Sequence, residues 1–127
     1  MPGKSDVVLV VDDDAAVRSA LKFALEVEGL EVRDYGGPVA LLADHNMPPF
    51  GCLVVDYRMP VMDGLELIAV LRERGIKAPA IIITGRTSKD LDGQAARLGI
   101  RQVLEKPLSD GALVAAIRSA LASSTAG

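Results

Sequence analysis

The sequence predicts one α/β domain spanning residues 1–127, with a doubly wound, five-stranded parallel sheet covered by helices on both faces. Three observations carry this. Short Val- and Ile-rich runs alternate with segments of helical periodicity five times along the 127 residues. Three of the runs are apolar on both faces, as strands covered from both sides are. Glycines and capping residues mark the ends of the helical segments. A β-α repeat of this kind implies a parallel sheet.

The elements follow in order. Val7–Val11 is the first strand. Val17, Ala20, Leu21, Ala24 and Leu25 fall at i, i+3, i+4, i+7, i+8, so a helix with one apolar face follows, capped by Asp14 and stopped by Gly29. Glu31–Tyr35 is more polar and suits an edge strand. A short helix is expected over 37–44, and a buried strand over 52–55. Asp63 with Glu66 three residues on forms a capping-box pattern for a helix running to about Arg74, ended by Gly75. Residues 80–83 form the fourth strand, and 88–98 the fourth helix, ended by Gly99. The fifth strand is short, 102–104. Ser109 can cap a last helix whose apolar face is Leu113, Ala116, Ile117, Ala120 and Leu121. Residues 122–127 are small and polar enough to fray or to begin a linker.

Composition narrows the function classes. Fourteen basic against seventeen acidic side chains leave a net charge of -3, which argues against a dedicated nucleic-acid surface. The single cysteine, Cys52, cannot form an internal disulfide and reads as a packing residue, in keeping with a reducing compartment. No run approaches the ~20 apolar residues of a membrane helix, and the N-terminus lacks a signal-peptide core. The chain reads as cytoplasmic, with no membrane partner. His45 has no neighbouring carboxylate or thiol in sequence and reads as a surface residue.

The chemistry lies where the strands end. The first is followed by Asp12-Asp13-Asp14, the third ends in Asp56, the fourth in Thr84 with Gly85 next, and the fifth in Glu105-Lys106-Pro107. In open α/β sheets the working site lies at the carboxyl ends of the strands. With a strand order of 2-1-3-4-5, Asp12 and Asp13 would face Asp56 across the topological switch point. Carboxylates about 4 Å apart repel by roughly 4 kcal/mol per pair at an effective dielectric of about 20. Such a cluster calls for a hard divalent cation, and oxygen ligands suit Mg²⁺. Lys106 adds a compact positive charge for a phosphoryl oxygen, and Thr84 a hydroxyl. A carboxylate nucleophile with metal, ammonium and hydroxyl reads as phosphoryl transfer onto Asp56.

The motifs VVDDD, LVVDYRMPVMDG, IIITGR and EKP, in this order and at these spacings, resemble the receiver domain of two-component response regulators, the chemotaxis regulators among them. The resemblance covers Val7 to about Ala122. It implies a flavodoxin-like fold with five helices, and it supports the strand order 2-1-3-4-5. It implies that Asp56 is the phosphoacceptor of a phosphorelay, that Asp13 ligates Mg²⁺ or Mn²⁺ directly, that Asp12 acts largely through water, and that the Arg58 backbone carbonyl completes the protein ligands. Thr84 and Lys106 would bind the phosphoryl group, and the Lys106–Pro107 bond would be cis. A histidine kinase, a phosphotransfer protein or a small molecule such as acetyl phosphate would be the donor, and a conformational switch would regulate an output domain or partner. Pairing would use the fourth helix, fifth strand and last helix. Many relatives carry an aromatic residue three positions before the lysine; here that position is Val103. Arg58 and Arg86, two residues beyond Asp56 and Thr84, flank the site. They either reach or screen the phosphoryl group, or point into solvent.

Other readings fit single motifs. Asp12–14 suits a helix N-terminus, Asp56 a strand-end turn, Lys106 a solvated surface, Thr84-Gly85 an ordinary loop. Met59 and Met62 read as loop packing. A haloacid-dehalogenase-type phosphotransferase also uses an Asp nucleophile, but places a second Asp where Arg58 stands. A flavodoxin-like electron carrier needs a phosphate-cradling loop where the acidic triplet lies. A pseudo-receiver that only binds partners keeps the fold without the chemistry.

Overall fold

The structure is a computed structural model that describes residues 6–108 and 111–126. Five strands and five helices alternate: β1 (Val7–Val11), α1 (Ala15–Val27), β2 (Glu31–Tyr35), α2 (Pro38–Leu42), β3 (Cys52–Asp56), α3 (Gly64–Glu73), β4 (Ala80–Thr84), α4 (Lys89–Arg97), β5 (Ile100–Glu105) and α5 (Ala112–Ala126). The strands pair in parallel in the order β2-β1-β3-β4-β5.

The apolar runs explain the layering. Successive residues of a strand face opposite sides. Leu9, Val11, Leu53, Val55 and Ile82 therefore pack with Leu41 of α2, Leu67, Ile68 and Leu71 of α3 and Leu91 of α4. Val8, Val10, Val54, Ile81 and Ile83 pack with Leu25 of α1 and Leu113, Ile117 and Leu121 of α5. β3 and β4 lie within the sheet and are buried at every residue. The edge strands β2 and β5 are largely exposed and carry polar side chains.

Local signals act as expected. Asp14 caps α1 by accepting from the backbone N–H groups of Ala16 and Val17 at 3.0 and 3.2 Å. The Asp63–Glu66 capping box closes in both directions, at 2.9 and 2.8 Å. Ser88, expected as the first residue of the fourth helix, instead caps α4 through the Leu91 N–H. Gly75 and Gly99 leave their helices at φ of 85° and 72°, a conformation that costs other residues more. All five residues expected on the inner face of α5 are buried, as is Cys52, whose thiol is pushed up to about 12 by desolvation. His45 is exposed.

Strands β3 and β4 do end in Asp56 and Thr84, as expected, so those site residues belong to the ladders themselves. Several other expectations change. β5 is twice as long as the apolar run indicated: backbone pairing carries it from Ile100, beside Ala80, to Glu105, beside Thr84, past a register irregularity at Arg101. The α1 face is only partly covered: Leu25 is buried, Val17 and Leu21 are half-buried, and Ala20 and Ala24 are exposed. α1 lies over β1 and the edge strand β2, where less of the sheet is available to cover it. The Ser109 cap lies outside the described residues. Helix α5 extends to Ala126, through most of the stretch expected to fray or to begin a linker. No helix among the described residues is long and apolar enough to cross a membrane.

Candidate functional site: an acidic pocket at the strand ends

The parallel register assembles the pocket. Val11 lies beside Val55, so the residues that follow, Asp12 and Asp56, emerge from adjacent strands at the same level. Asp56 lies beside Ile83, and Thr84 beside Glu105, which places Thr84 and then Lys106 on the other flank. One carboxylate oxygen from each of Asp12, Asp13 and Asp56 lies within 4.8 Å of the others. Lys106 Nζ is 3.4 Å from Asp56 Oδ1. The Lys106–Pro107 peptide is cis, and the Lys106 N–H donates to the Thr84 carbonyl at 2.8 Å.

Burial sets the electrostatics. Asp12 and Asp56 are 2% and 8% exposed, more covered than a rim position suggests, whereas Asp13 is open to solvent. Desolvation raises the pKa of Asp56; Asp12 and Asp13 raise it further, and Lys106 opposes them. Desolvation likewise raises Asp12, against the N–H of Asp14, which donates to its Oδ1 at 2.9 Å, and against Lys106. Three carboxylates thus face one ammonium, and the donor set is all oxygen. These residues fit a hard divalent cation such as Mg²⁺ or Mn²⁺.

The Thr84 hydroxyl is turned toward its own loop: it donates to the Arg86 carbonyl at 3.0 Å and accepts from the Arg86 N–H at 3.2 Å. Val103 is half-buried and packs against the core on the α3–α4 side of the sheet. Arg58 and Arg86 are exposed. Met59 and Met62 pack partly buried under the β3–α3 loop, and Met62 N–H donates to the Pro60 carbonyl across Val61, which has φ of 76°.

Two residues that sequence reasoning passed over help to build the pocket. Gly64 starts α3 so close to β3 that a Cβ there would lie 2.9 Å from the Asp56 carbonyl oxygen. Its place in MPVMDG was visible, but the approach was not. Arg18, on α1, donates to the Asp12 carbonyl. Nothing in the spacing of one arginine signals that contact.

The fold and site together define an α/β domain with a doubly wound parallel sheet and three carboxylates and a lysine gathered at its switch point. Residues 8–118 match the response regulator receiver domain model, and the chain belongs to that family. It is 44% identical over 115 residues to the transcriptional regulatory protein FixJ of Azorhizobium caulinodans, covering 90% of this chain and 54% of that protein. It is 35% identical over 121 residues to the response regulator protein TodT of Pseudomonas putida, covering 95% and 53%. Its fold is that of the CheY-like receiver domain protein from Methanospirillum hungatei, with a TM-score of 0.87 and 26% identity over 98% of this chain and all of that one. The chain spans about half the length of these curated relatives.

Proposed function

We propose that the chain accepts a phosphoryl group on Asp56 and changes conformation in response, within a two-component or phosphorelay system. The observation that carries this is the cluster of Asp12, Asp13 and Asp56 with Lys106 at 3.4 Å. A carboxylate oxygen of Asp56 attacks the phosphorus of the donor. The new O–P bond forms as the bond to the leaving group breaks, and that group departs with the bonding electrons. A divalent ion held by Asp13, Asp56 and the Arg58 carbonyl, with Asp12 acting through water, would neutralise charge on the phosphoryl oxygens. Lys106 already lies beside Asp56 and would hold one of those oxygens. The donor is a histidine kinase, a phosphotransfer protein or a small acyl phosphate. Relatives named as transcriptional regulators suggest that the signal is read out in transcription, by a part other than this domain. The test is incubation with acetyl phosphate and Mg²⁺. A mass gain of one phosphoryl group is expected; no gain, with or without a kinase, would leave a binding module.

Removing one metal ligand tests the pocket directly. Asp13→Asn is expected to weaken Mg²⁺ binding by about tenfold or more, less than the roughly 4 kcal/mol of a close charge pair at an effective dielectric of about 20, because Asp13 is open to solvent. Unchanged affinity by isothermal titration would refute the assignment.

The hydrogen bonds of Thr84 indicate how the site communicates. To reach a phosphoryl oxygen its hydroxyl must leave the Arg86 carbonyl, and that releases the 85–89 loop. Val103 has no ring to turn inward, and its branched Cβ keeps χ1 stiff. Beryllofluoride with Mg²⁺ is expected to shift amide resonances of residues 85–89 and the start of α4 far more than that of Val103. A large shift centred on Val103, with a silent loop, would overturn this.

A further inference from the structure

We infer that Arg18 is a positioning residue for the acidic pocket, holding the Asp12–Asp13 peptide in the orientation that brings both carboxylates to the metal. This rests on the reading of Asp12, Asp13 and Asp56 as a Mg²⁺ pocket. Arg18 Nη1 donates to the Asp12 carbonyl oxygen at 2.8 Å, and Nε donates to Asp34 Oδ2 at 2.9 Å. The guanidinium is therefore fixed at two points: the end of β1, and a carboxylate of β2. Gly36 lies alongside, where a Cβ would come 3.5 Å from Nη1. The side chains of Arg18 and Asp34 are 21% and 30% exposed, so the pair is largely, though not wholly, screened from water.

The effect reaches the pocket through Asp12. Its N–H donates to the Tyr35 carbonyl at 3.2 Å, its Oδ1 accepts from Asp14 N–H, and its carbonyl accepts from Arg18. That carbonyl belongs to the peptide joining Asp12 to Asp13, so its direction sets where Asp13 departs from the strand. β1 has ended by this point, and Arg18 supplies a bond that the sheet no longer supplies. A planar fork serves this purpose because it donates in two directions at once, whereas the ammonium of a lysine is a compact point charge.

Arg18→Ala separates positioning from charge, because the two have opposite signs. Deleting a cation beside an acidic cluster would, by Coulomb's law alone, tighten Mg²⁺ binding. Loss of positioning weakens it, by about tenfold if Arg18 acts as outer-shell residues of metal sites do. Isothermal titration with MgCl₂, on variants whose fold is verified by circular dichroism, reads the sign. Weaker binding supports the inference; equal or tighter binding overturns it. Should the Ala variant not fold, Arg18→Lys keeps the charge but not the fork, and is expected to weaken binding, with unchanged affinity overturning the inference. Asp34→Asn is expected to act in the same direction, and the Arg18→Ala/Asp34→Asn double variant to bind no more weakly than Arg18→Ala alone. Additive losses would mean that Asp34 acts on the metal independently, and would overturn the clamp. A wild-type chain that binds no Mg²⁺ would fail the pocket reading itself, and the clamp with it.

Discussion

Replacing Asp56 by Asn is expected to abolish stable phosphoryl uptake. The amide keeps the shape of the side chain but lacks the anionic oxygen that must form the new bond to phosphorus. Mass spectrometry after incubation with acetyl phosphate and Mg²⁺ checks it; labelling at the wild-type rate would place the acceptor elsewhere. The same variant has a second expected result. Burial first, and then Asp12, raise the Asp56 pKa above its ordinary 3.8. Between that value and the raised one, the native state holds a proton that the unfolded chain has released. Wild-type stability therefore falls as pH rises through this window and stays lower above it. Asn carries no charge at any of these pH values. In metal-free buffer at neutral pH, Asp56→Asn is thus expected to melt above the wild type, with the difference shrinking as pH falls through the window. A lower melting temperature for the variant would show that the Lys106 contact outweighs desolvation and repulsion.

Gly64→Ala is expected to be the most damaging single-methyl change near the site. Its Cβ would lie 2.9 Å from the Asp56 carbonyl oxygen, 3.0 Å from Ile82 Cδ1 and 3.1 Å from Val55 Cγ1. The first neighbour is backbone of a buried strand, and the other two side chains belong to buried strand residues. The backbone oxygen yields only if the strand or α3 moves, and the two buried side-chain atoms must each give by a few tenths of an ångström. Overpacking of this kind costs about 1–3 kcal/mol, and it pushes on the strand end that carries Asp56. A lower urea midpoint with an unchanged slope is expected, together with slower phosphorylation. An unaltered midpoint would mean that α3 can shift away freely.

Much of this protein was legible from its residues. The strands showed because Val- and Ile-rich runs pack well on both faces of a covered sheet. The helix ends showed because Asp14, Asp63 and the glycines solve a local problem, namely the unpaired backbone groups of a helix terminus. Asp12, Asp13, Asp56, Thr84 and Lys106 stood out because polar residues directly after apolar strands sit at the end of the sheet where ligands bind. Their motifs, at these spacings, also resembled the family to which the chain belongs.

The tertiary structure decided what depends on neighbours distant in sequence. The partial exposure of α1 follows from its place over an edge strand, which periodicity cannot convey: a helical face records what is apolar, not how much sheet lies beneath it. The length of β5 came from backbone pairing, to which side-chain polarity is nearly blind. Whether Thr84 points at the acidic pocket or at its own loop is a choice between hydrogen-bond partners, and the Arg86 carbonyl holds it in this state. The fit of Gly64 against Asp56, and the reach of Arg18 to both Asp12 and Asp34, join separate elements over distances set only once the sheet has closed. The sequence by itself determined the alternation of elements and the residues available at the strand ends, because burial and capping are local demands. Packing determined which of those residues touch and where they point, because contact and hydrogen-bond direction belong to the assembled layers.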